Sequence, residues 1–158
     1  MLKYTTIFKK MTMTKKMIVG WRETLSLPDL GIEKIKAKID TGARTSCLHA
    51  FKVESFTKDD ALWVRFWIHP LQHNVDKVTV CEAEVIDERI VRDSGGHEES
   101  RYVIKSDLCL GGQRWPIEIT LTNRENMAFR MLLGRTAMHH KLIVDPTQSF
   151  LIPFEENK

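Results

Sequence analysis

The sequence is poor in cysteine and has no long apolar run. Its three cysteines, Cys47, Cys81 and Cys109, are odd in number and far apart. This pattern excludes a dense disulfide framework and is typical of reduced thiols in the cytoplasm. No stretch is apolar for long enough to span a bilayer, and we find no apolar core of a secretory signal peptide. We therefore expect a cytoplasmic protein that makes no contact with a membrane.

Several nucleotide, metal and nucleic-acid motifs are also absent. There is no phosphate-binding Gly-x-x-x-x-Gly-Lys-Ser/Thr loop, and His97–Arg101 lacks the second histidine of His-Glu-x-x-His. The formal net charge is only +3, without the concentrated basic patch of a dedicated nucleic-acid binder. We predict no cofactor, no metal and no nucleic-acid partner. A zinc-dependent peptidase is retained as a third reading, because the chain has six histidines.

The amino-terminal end contains no acidic residue. Residues 1–16 carry five lysines and no aspartate or glutamate. We expect a disordered basic tail over residues 1–16 and one domain over residues 17–158, which is long enough for a substantial core. Met11, Met13 and Met17 would allow translation to begin later than position 1.

The remainder of the chain has the two-residue period of β-strands. Apolar residues alternate with lysines over residues 34–39, and residues 62–68 carry bulky side chains on both faces. Gly95-Gly96 and Gly111-Gly112 predict hairpin turns. Further strands are predicted at residues 142–144 and 150–152, with one short helix over residues 135–141. Many short strands with little helix predict a mainly β, closed or sandwich-like barrel.

One acidic residue stands at the end of a predicted strand. Asp40 follows Ile39 and begins an Asp-Thr-Gly-Ala run, Asp40–Ala43. Gly42 allows a tight turn and a close backbone approach, and the hydroxyl of Thr41 can hold that turn by a hydrogen bond. The pattern places a carboxylate at the bottom of a cleft.

A single carboxylate cannot both accept a proton from the attacking water and protonate the leaving nitrogen in peptide hydrolysis. Two carboxylates about 3 Å apart share one proton, so that one acts as base and the other as acid. Asp145 is the best internal candidate for the second, but it lacks the glycine and is followed by Pro146. The sequence therefore favours two copies of Asp40 meeting across a two-fold axis, which predicts a homodimer.

Three segments in order resemble a known family. Ile39–Ala43, a later Gly-Gly hairpin and Leu132–Arg135, in that order, resemble the retropepsin-like aspartic proteases. The longer run Lys36–Ser46, with Leu108–Pro116 and Leu132–Arg135, resembles more closely a bacterial branch that carries the label ATP-dependent zinc protease. The resemblance covers Ile18–Phe154. Some members of that branch are encoded near ATP-grasp ligases that add glutamate to proteins.

The resemblance implies a closed β-barrel of the acid-protease type with one short helix near the carboxyl terminus. It implies an aspartic peptidase with a catalytic Asp40-Thr41-Gly42 loop. Ala43 and Arg44 after that loop, with the flap Gly95-Gly96-His97, would contact a peptide or protein substrate. Gly134 and Arg135 would support the site structurally. The expected partners are a second copy and, through the neighbouring genes, an ATP-grasp ligase system.

Arg44 separates this chain from the viral members of the family. There the arginine equivalent to Arg135 pairs with an aspartate that follows the Asp-Thr-Gly-Ala run, and here that position is Arg44. A guanidinium beside the site suits a substrate carboxylate, which favours acidic or glutamate-rich peptides. Lys36, Lys38 and Arg114 would extend this basic rim. The alternatives are an ion pair of Arg44 with Glu54, Glu82 or another acid and, for the whole protein, a non-catalytic peptide-binding module.

Overall fold

The computed structural model describes residues 15–124 and 128–154, so most of the predicted tail lies outside the described residues. These residues form twelve strands and one short α-helix, a mainly β architecture as predicted. No described helix has the length and apolar character needed to cross a membrane. The strands are β1 (Met17–Val19), β2 (Arg22–Leu27), β3 (Ile32–Ile39), β4 (Ser46–His49), β5 (Lys52–Lys58), β6 (Ala61–Ile68), β7 (Thr79–Glu84), β8 (Asp87–Arg92), β9 (Glu98–Leu110), β10 (Gln113–Thr122), β11 (Met131–Leu133) and β12 (Leu142–Val144), and the helix is α1 (Arg135–Met138).

Six strands are joined in a ring of pairings. The order is β10, β4, β11, β3, β2 and β9, and β9 also pairs with β10, while β8 extends the sheet from β9. The pairing of β2 with β9 is short, since it consists of the single residue pair Ser26 and Cys109. The inner faces of the strands form the core, as in β3, where Ile35, Ala37 and Ile39 are buried. The alternating pattern of the sequence therefore predicted the buried face of β3.

A second sheet contains β5, β6 and β7. Val64, Phe66 and Ile68 on one face of β6 are fully buried. The tryptophans on the other face are only half-buried, and lysines lie over their rings: Lys52 Nζ is 4.5 Å from the Trp67 centroid and Lys58 Nζ is 4.4 Å from that of Trp63. Of the bulky residues on β6, those on one face therefore lie in the core, and those on the other face are partly covered by lysine side chains.

Both predicted glycine hairpins are present. Gly111 and Gly112 join β9 to β10 with φ angles of 58° and 76°, and Leu110 pairs with Gln113 at the end of the ladder. Two consecutive positive φ angles define a tight turn whose twist matches that of the strands. Glycine adopts these angles without steric conflict.

The carboxyl-terminal segment differs from the prediction. Residues 150–152 do not form a strand. The Phe150 amide donates to the carbonyl of Arg22 at 2.9 Å, whereas the amides of Leu151 and Ile152 are bound by Glu23, a fully buried side chain of β2. One Glu23 oxygen accepts hydrogen bonds from Gly20 at 2.7 Å and Leu151 at 2.9 Å, and the other accepts one from Ile152 at 3.1 Å. For Leu151 and Ile152 the hydrogen-bond acceptor is a side chain and not a neighbouring strand. Local sequence patterns do not reveal such an acceptor.

Glu23 is expected to contribute measurably to stability. Replacing Glu23 by Gln should lower the free energy of unfolding by about 2 kcal/mol, because an amide group faces backbone donors that need an acceptor. Glu33→Gln is the control, since Glu33 is exposed on β3. Urea unfolding followed by tryptophan fluorescence compares the two variants. Equal midpoints for the two would contradict this role of Glu23.

Candidate active site

Asp40 lies where β3 ends and enters a tight turn. Its amide donates to the carbonyl of Leu133 in β11 at 2.8 Å, which ties the start of the loop to the neighbouring strand. The amide of Gly42 donates to Asp40 Oδ1 at 3.0 Å. Asp40 Oδ2 has no hydrogen-bond partner among the described residues, and the residue is half-buried. One carboxylate oxygen is thus held while the other is open to a reactant.

The loop is supported from behind by β11 and α1. The amide of Arg135 donates to the carbonyl of Ala43 at 2.8 Å, and the amide of Thr136 donates to that of Arg44 at 2.9 Å. The amide of Gly134 donates to Ser46 Oγ at 3.0 Å. These bonds use the free amides at the start of α1 and fix the loop after Asp40.

Gly134 is required by a close approach of two backbones. A Cβ atom at this position would lie 2.5 Å from the carbonyl carbon of Thr45 and 2.9 Å from the amide nitrogen of Ser46. Neither atom can move without moving the loop. The site-supporting position predicted for Gly134 therefore has a direct steric reason.

Arg135 contacts the loop through its side chain. Its Nη1 donates to the carbonyl of Thr41 at 2.9 Å. The viral pairing of this arginine with a carboxylate is thus replaced by a bond to the backbone. The helix itself is shorter than the predicted 135–141: it ends at Met138, because His139 has ψ near 125° and His140 has a φ of 63°.

A cleft of about 520 Å³ opens beside Asp40. Ala43 and Arg44, to which the family resemblance assigns substrate contacts, line one side. The other side is β8, which pairs with β9, and Ile90 of β8 is 72% exposed. The floor consists of Cys47, Arg101, Thr120 and Leu132. The shape suits an extended chain lying between the loop and β8.

The flap is a hairpin built on Asp93. Arg92 of β8 pairs with Glu98 of β9 on either side of the turn. Asp93 Oδ1 accepts hydrogen bonds at 2.9 Å from the amides of Gly95 and His97, and the His97 bond is the main cause that lowers the pKa of Asp93. Asp93 and Ser94 line the cleft, whereas Gly95, Gly96 and His97 form the exposed tip. The base of the hairpin, not its tip, faces Asp40.

Arg44 is exposed at the mouth of the cleft. The two acids named as alternative partners are engaged elsewhere: Glu54 pairs with Lys52 at 3.2 Å, and Glu82 pairs with Arg65 at 2.6 Å. No other described acid lies within ion-pairing distance of Arg44. The structure therefore leaves its guanidinium available to a ligand.

Arg101 is a cleft residue that the sequence did not reveal. It is 7% exposed, and its Nε donates to Glu99 at 2.9 Å while its Nη1 lies 3.4 Å from Thr120 Oγ1. It also lies 3.5 Å from Cys47 Sγ. Only the pairing of β9 with β10 and of β10 with β4 brings these residues together. No local motif marks them.

The thiol of Cys47 is not a suitable nucleophile. Burial raises the pKa of Cys47, and this effect exceeds the opposing influence of Arg101. The protonated form therefore dominates near neutral pH, and it is the thiolate that attacks carbonyl carbon. Cysteine-peptidase chemistry is not favoured in this cleft.

The described residues do not fit a zinc site. No group of three histidine, cysteine, aspartate or glutamate side chains within residues 15–124 and 128–154 is arranged to hold a metal ion. A catalytic zinc ion needs three such protein ligands. We assign no step to a metal.

Fold and loop together define a class of protein. A mainly β chain whose Asp-Thr-Gly loop faces a hairpin and is backed by Leu-Leu-Gly-Arg has the features of a retropepsin-like protomer. The chain matches the RimB-like family, "Retropepsin-like aspartic endopeptidase RimB", over residues 18–155, and it belongs to that family. The resemblance inferred from the sequence motifs is confirmed.

Relatives of known sequence carry a different name. The chain is 51% identical over 137 residues to a "Probable alpha-L-glutamate ligase" of Parasynechococcus marenigrum (strain WH8102), covering 87% of this chain and 29% of that protein. It is 46% identical to a protein of the same name from Shewanella pealeana (strain ATCC 700345 / ANG-SQ1), covering 87% of this chain and 30% of that protein. The chain thus spans less than a third of these relatives.

A solved structure supports the fold. A crystal structure of a protein of unknown function from Legionella pneumophila subsp. pneumophila str. Philadelphia 1 superposes with a TM-score of 0.73 at 26% identity. It covers 88% of this chain and 100% of that chain. The architecture described above is therefore shared by an experimentally determined relative.

Proposed function

We propose that the protein is an aspartic peptidase whose active site forms when two chains bring their Asp40 carboxylates together. The observation that supports this most directly is the loop geometry: Asp40 Oδ1 is held by the Gly42 amide, and Asp40 lines an open cleft. In the dimer, the shared proton leaves one carboxylate to accept a proton from water while the other protonates the leaving nitrogen. The loop bonds made by Gly134, Arg135 and Thr136 hold the carboxylate in place for both steps.

Other acids of the same chain are poor candidates for the second carboxylate. Asp145 Oδ1 accepts hydrogen bonds from the Thr147 hydroxyl and amide, and the hydroxyl bond is the main cause that lowers its pKa. Asp93 is bound by its own turn and also has a lowered pKa. Carboxylates stabilised in the charged form do not readily take the shared proton. These contacts favour a second copy of Asp40.

The parallel pair of β1 and β12 offers a surface for that second copy. Ile18 and Ile143 are registered neighbours and are 56% and 51% exposed. A pocket lined by Thr41, Arg135, Leu142 and Val144 connects this ribbon with the Asp40 loop. An exposed apolar pair next to half of a site is suited to a two-fold contact.

A single substitution that introduces a charge tests the proposed dimer contact. Ile18→Asp should raise the dimer dissociation constant at least about tenfold, since burying an unpaired carboxylate is strongly unfavourable. Peptidase activity should fall in parallel and recover partly at high protein concentration. Sedimentation equilibrium and activity at several concentrations measure both effects. Val75→Asp is the control, because Val75 is 64% exposed and lies outside the ribbon and the cleft. Unchanged dimerisation of Ile18→Asp would overturn this interface.

We propose acidic or glutamate-rich peptides as the substrate class. Arg44 is available at the mouth of the cleft, and the largely buried Arg101 lines its floor. Guanidinium groups bind carboxylates in paired hydrogen bonds. The glutamate-ligase name of the longer relatives agrees with this class and with an ATP-grasp ligase as a functional partner.

The direct test uses purified protein and two peptides. A ten-residue glutamate-rich peptide and a serine-rich peptide of equal length are incubated with the wild type, and products are identified by mass spectrometry. We expect cleavage of the acidic peptide and little cleavage of the neutral one. Tight binding of the acidic peptide without any cleavage would favour the second candidate function, a peptide-binding module with the same cleft.

A further inference from the structure

A basic face lies beside the cleft on the outer side of β2 and β3. We call it the β3 basic face and define it as Arg22, Lys34, Lys36 and Lys38. The three lysines alternate with buried residues and are exposed. Arg22 is the registered neighbour of Lys38 on the adjoining strand. The face thus collects four positive charges on one side of a two-stranded surface.

These cations have no acidic partner among the described residues. The Arg22 Nε donates to the hydroxyl of Ser149, and no described carboxylate lies within ion-pairing distance of any of the four. Arg114, which the sequence assigned to the same rim, differs: it pairs with Asp107 at 2.7 Å and with Asp29 at 3.1 Å. That expectation is therefore corrected, because the fold brings two acids into ion pairs with Arg114, whereas no described acid forms an ion pair with the β3 basic face.

Aromatic rings position the cations. Arg22 lies between Trp21 and Phe150, with its Cζ 4.5 Å and 4.9 Å from the two centroids. Lys36 Nζ is 5.7 Å from the Phe150 centroid, and Lys34 Nζ is 5.4 Å from that of Phe154. Phe150 has a φ of 51°, which is rare for a bulky residue and unfavourable unless surrounding contacts support it. The unfavourable backbone angle thus occurs at Phe150, whose ring contacts both Arg22 and Lys36.

The β3 basic face is continuous with the cleft. Lys38 is the registered neighbour of Leu132 in β11, and Leu132 lines the cleft floor. Asp40 is two residues beyond Lys38 along the same strand. A peptide that leaves the cleft past Leu132 therefore passes first over Lys38, then over Lys36 and Lys34.

We propose that the β3 basic face is an exosite for an acidic extension of the polypeptide whose other part lies in the cleft. The lysines recur every two residues, about 6.6 Å apart, which is also the spacing of alternate side chains in an extended peptide. This inference rests on the proposed function only in taking the occupant of the cleft to be a peptide. A single-stranded nucleic acid is less well matched, because its bases need open aromatic faces and the Phe150 ring already makes cation–π contacts with Arg22 and Lys36.

The exosite predicts that affinity depends on peptide length. Binding is measured by fluorescence anisotropy with the full chain carrying Asp40→Asn, so that no peptide is cleaved. The probes are labelled peptides of four and of ten glutamates. We expect the longer peptide to bind at least about tenfold more tightly, because only it spans the roughly 13 Å from Lys38 to Lys34 beyond the cleft.

The charge-reversal pair Lys36→Glu/Lys38→Glu should remove most of that gain while changing the affinity of the short peptide about twofold or less at physiological salt. Lys58→Glu/Lys105→Glu is the matched control: it makes the same change in net charge, and Lys58 also lies over an aromatic ring. Lys36→Gln/Lys38→Gln, with thermal unfolding of all variants, separates local loss of charge from loss of fold.

Three outcomes would overturn the proposal. The first is that the control pair loses as much affinity as the exosite pair. The second is that the two peptides bind equally. The third is that a ten-nucleotide single-stranded RNA binds more tightly than the ten-glutamate peptide through the same lysines. Because the assay needs no hydrolysis, its failure is distinct from a failure of the peptidase assignment. Cleavage that persists without any length dependence would leave the peptidase and remove only the exosite.

Discussion

Asp40→Asn is expected to lower kcat/KM for the acidic peptide by at least about a thousandfold. Asparagine keeps the size of the side chain and can still accept the Gly42 hydrogen bond, but it neither shares nor transfers a proton at neutral pH. Removing the group that performs acid and base catalysis commonly causes losses of this size or larger. Steady-state kinetics with product identification by mass spectrometry measures the effect.

A matched control distinguishes the loss of a catalytic group from the loss of any aspartate. Asp145→Asn makes the same change at a turn where the side chain accepts hydrogen bonds from Thr147, and its activity should remain near that of the wild type. Thermal unfolding and the dimer constant of Asp40→Asn should also be unchanged. Full retention of cleavage by Asp40→Asn would refute the aspartic mechanism.

Mixed dimers provide an independent test of the shared site. When equal amounts of wild-type and Asp40→Asn chains exchange freely, about a quarter of the dimers contain two aspartates. Activity per total chain should then fall to about a quarter, because a single aspartate is insufficient. Activity of about one half would show that each chain works alone and would contradict the paired mechanism.

Gly134→Ala is expected to lower the free energy of unfolding by about 3 kcal/mol. The new methyl group would meet the Thr45 carbonyl carbon at 2.5 Å, and overpacking against backbone has few ways to relax. The loop must move and lose bonds such as that from the Gly134 amide to Ser46. At about 2–4 °C per kcal/mol for a chain of this size, the melting temperature should fall by roughly 10 °C. Calorimetry measures this shift.

Gly95→Ala is the corresponding control. Its Cβ would meet only side-chain atoms of Asp93 and His97, at 3.3 Å, and these can turn away. A small change in melting temperature is expected there. If Gly134→Ala were no more destabilising than Gly95→Ala, the close approach at Gly134 would not be important for the fold. Loss of activity in Gly134→Ala beyond the unfolded fraction would show that the backing of the loop also positions Asp40.

Strand prediction worked where one face of a strand is buried. In β3 the alternation of lysine with apolar residues gave both the strand and its inner face, because burial selects every second residue. It failed at residues 150–152, where the amides of Leu151 and Ile152 bind the buried carboxylate of Glu23. The helix prediction was too long, because His139 and His140 leave helical geometry directly after one turn.

The candidate active site likewise contains residues that local motifs predict and residues that only long-range strand pairing brings together. Asp40, Gly42, Gly134 and Arg135 belong to short motifs, since a tight turn and a close approach need particular residues at fixed positions. The cleft floor does not: Arg101 and Cys47 are 54 positions apart in sequence and meet only through the pairing of β4, β10 and β9. Prediction from local sequence cannot supply such registers, because they depend on which distant strands pair.

The sequence by itself determined that this protein carries a retropepsin-like Asp-Thr-Gly loop at the end of an amphipathic strand. Such a loop can be recognised from sequence because its backbone geometry depends on a few adjacent residues. Only the tertiary structure decided what surrounds Asp40: the base of the flap hairpin, the buried Arg101, the adjoining β3 basic face, and Arg44, which has no acidic partner among the described residues. These arise from long-range strand pairing, in which residues far apart in the chain come to share one surface.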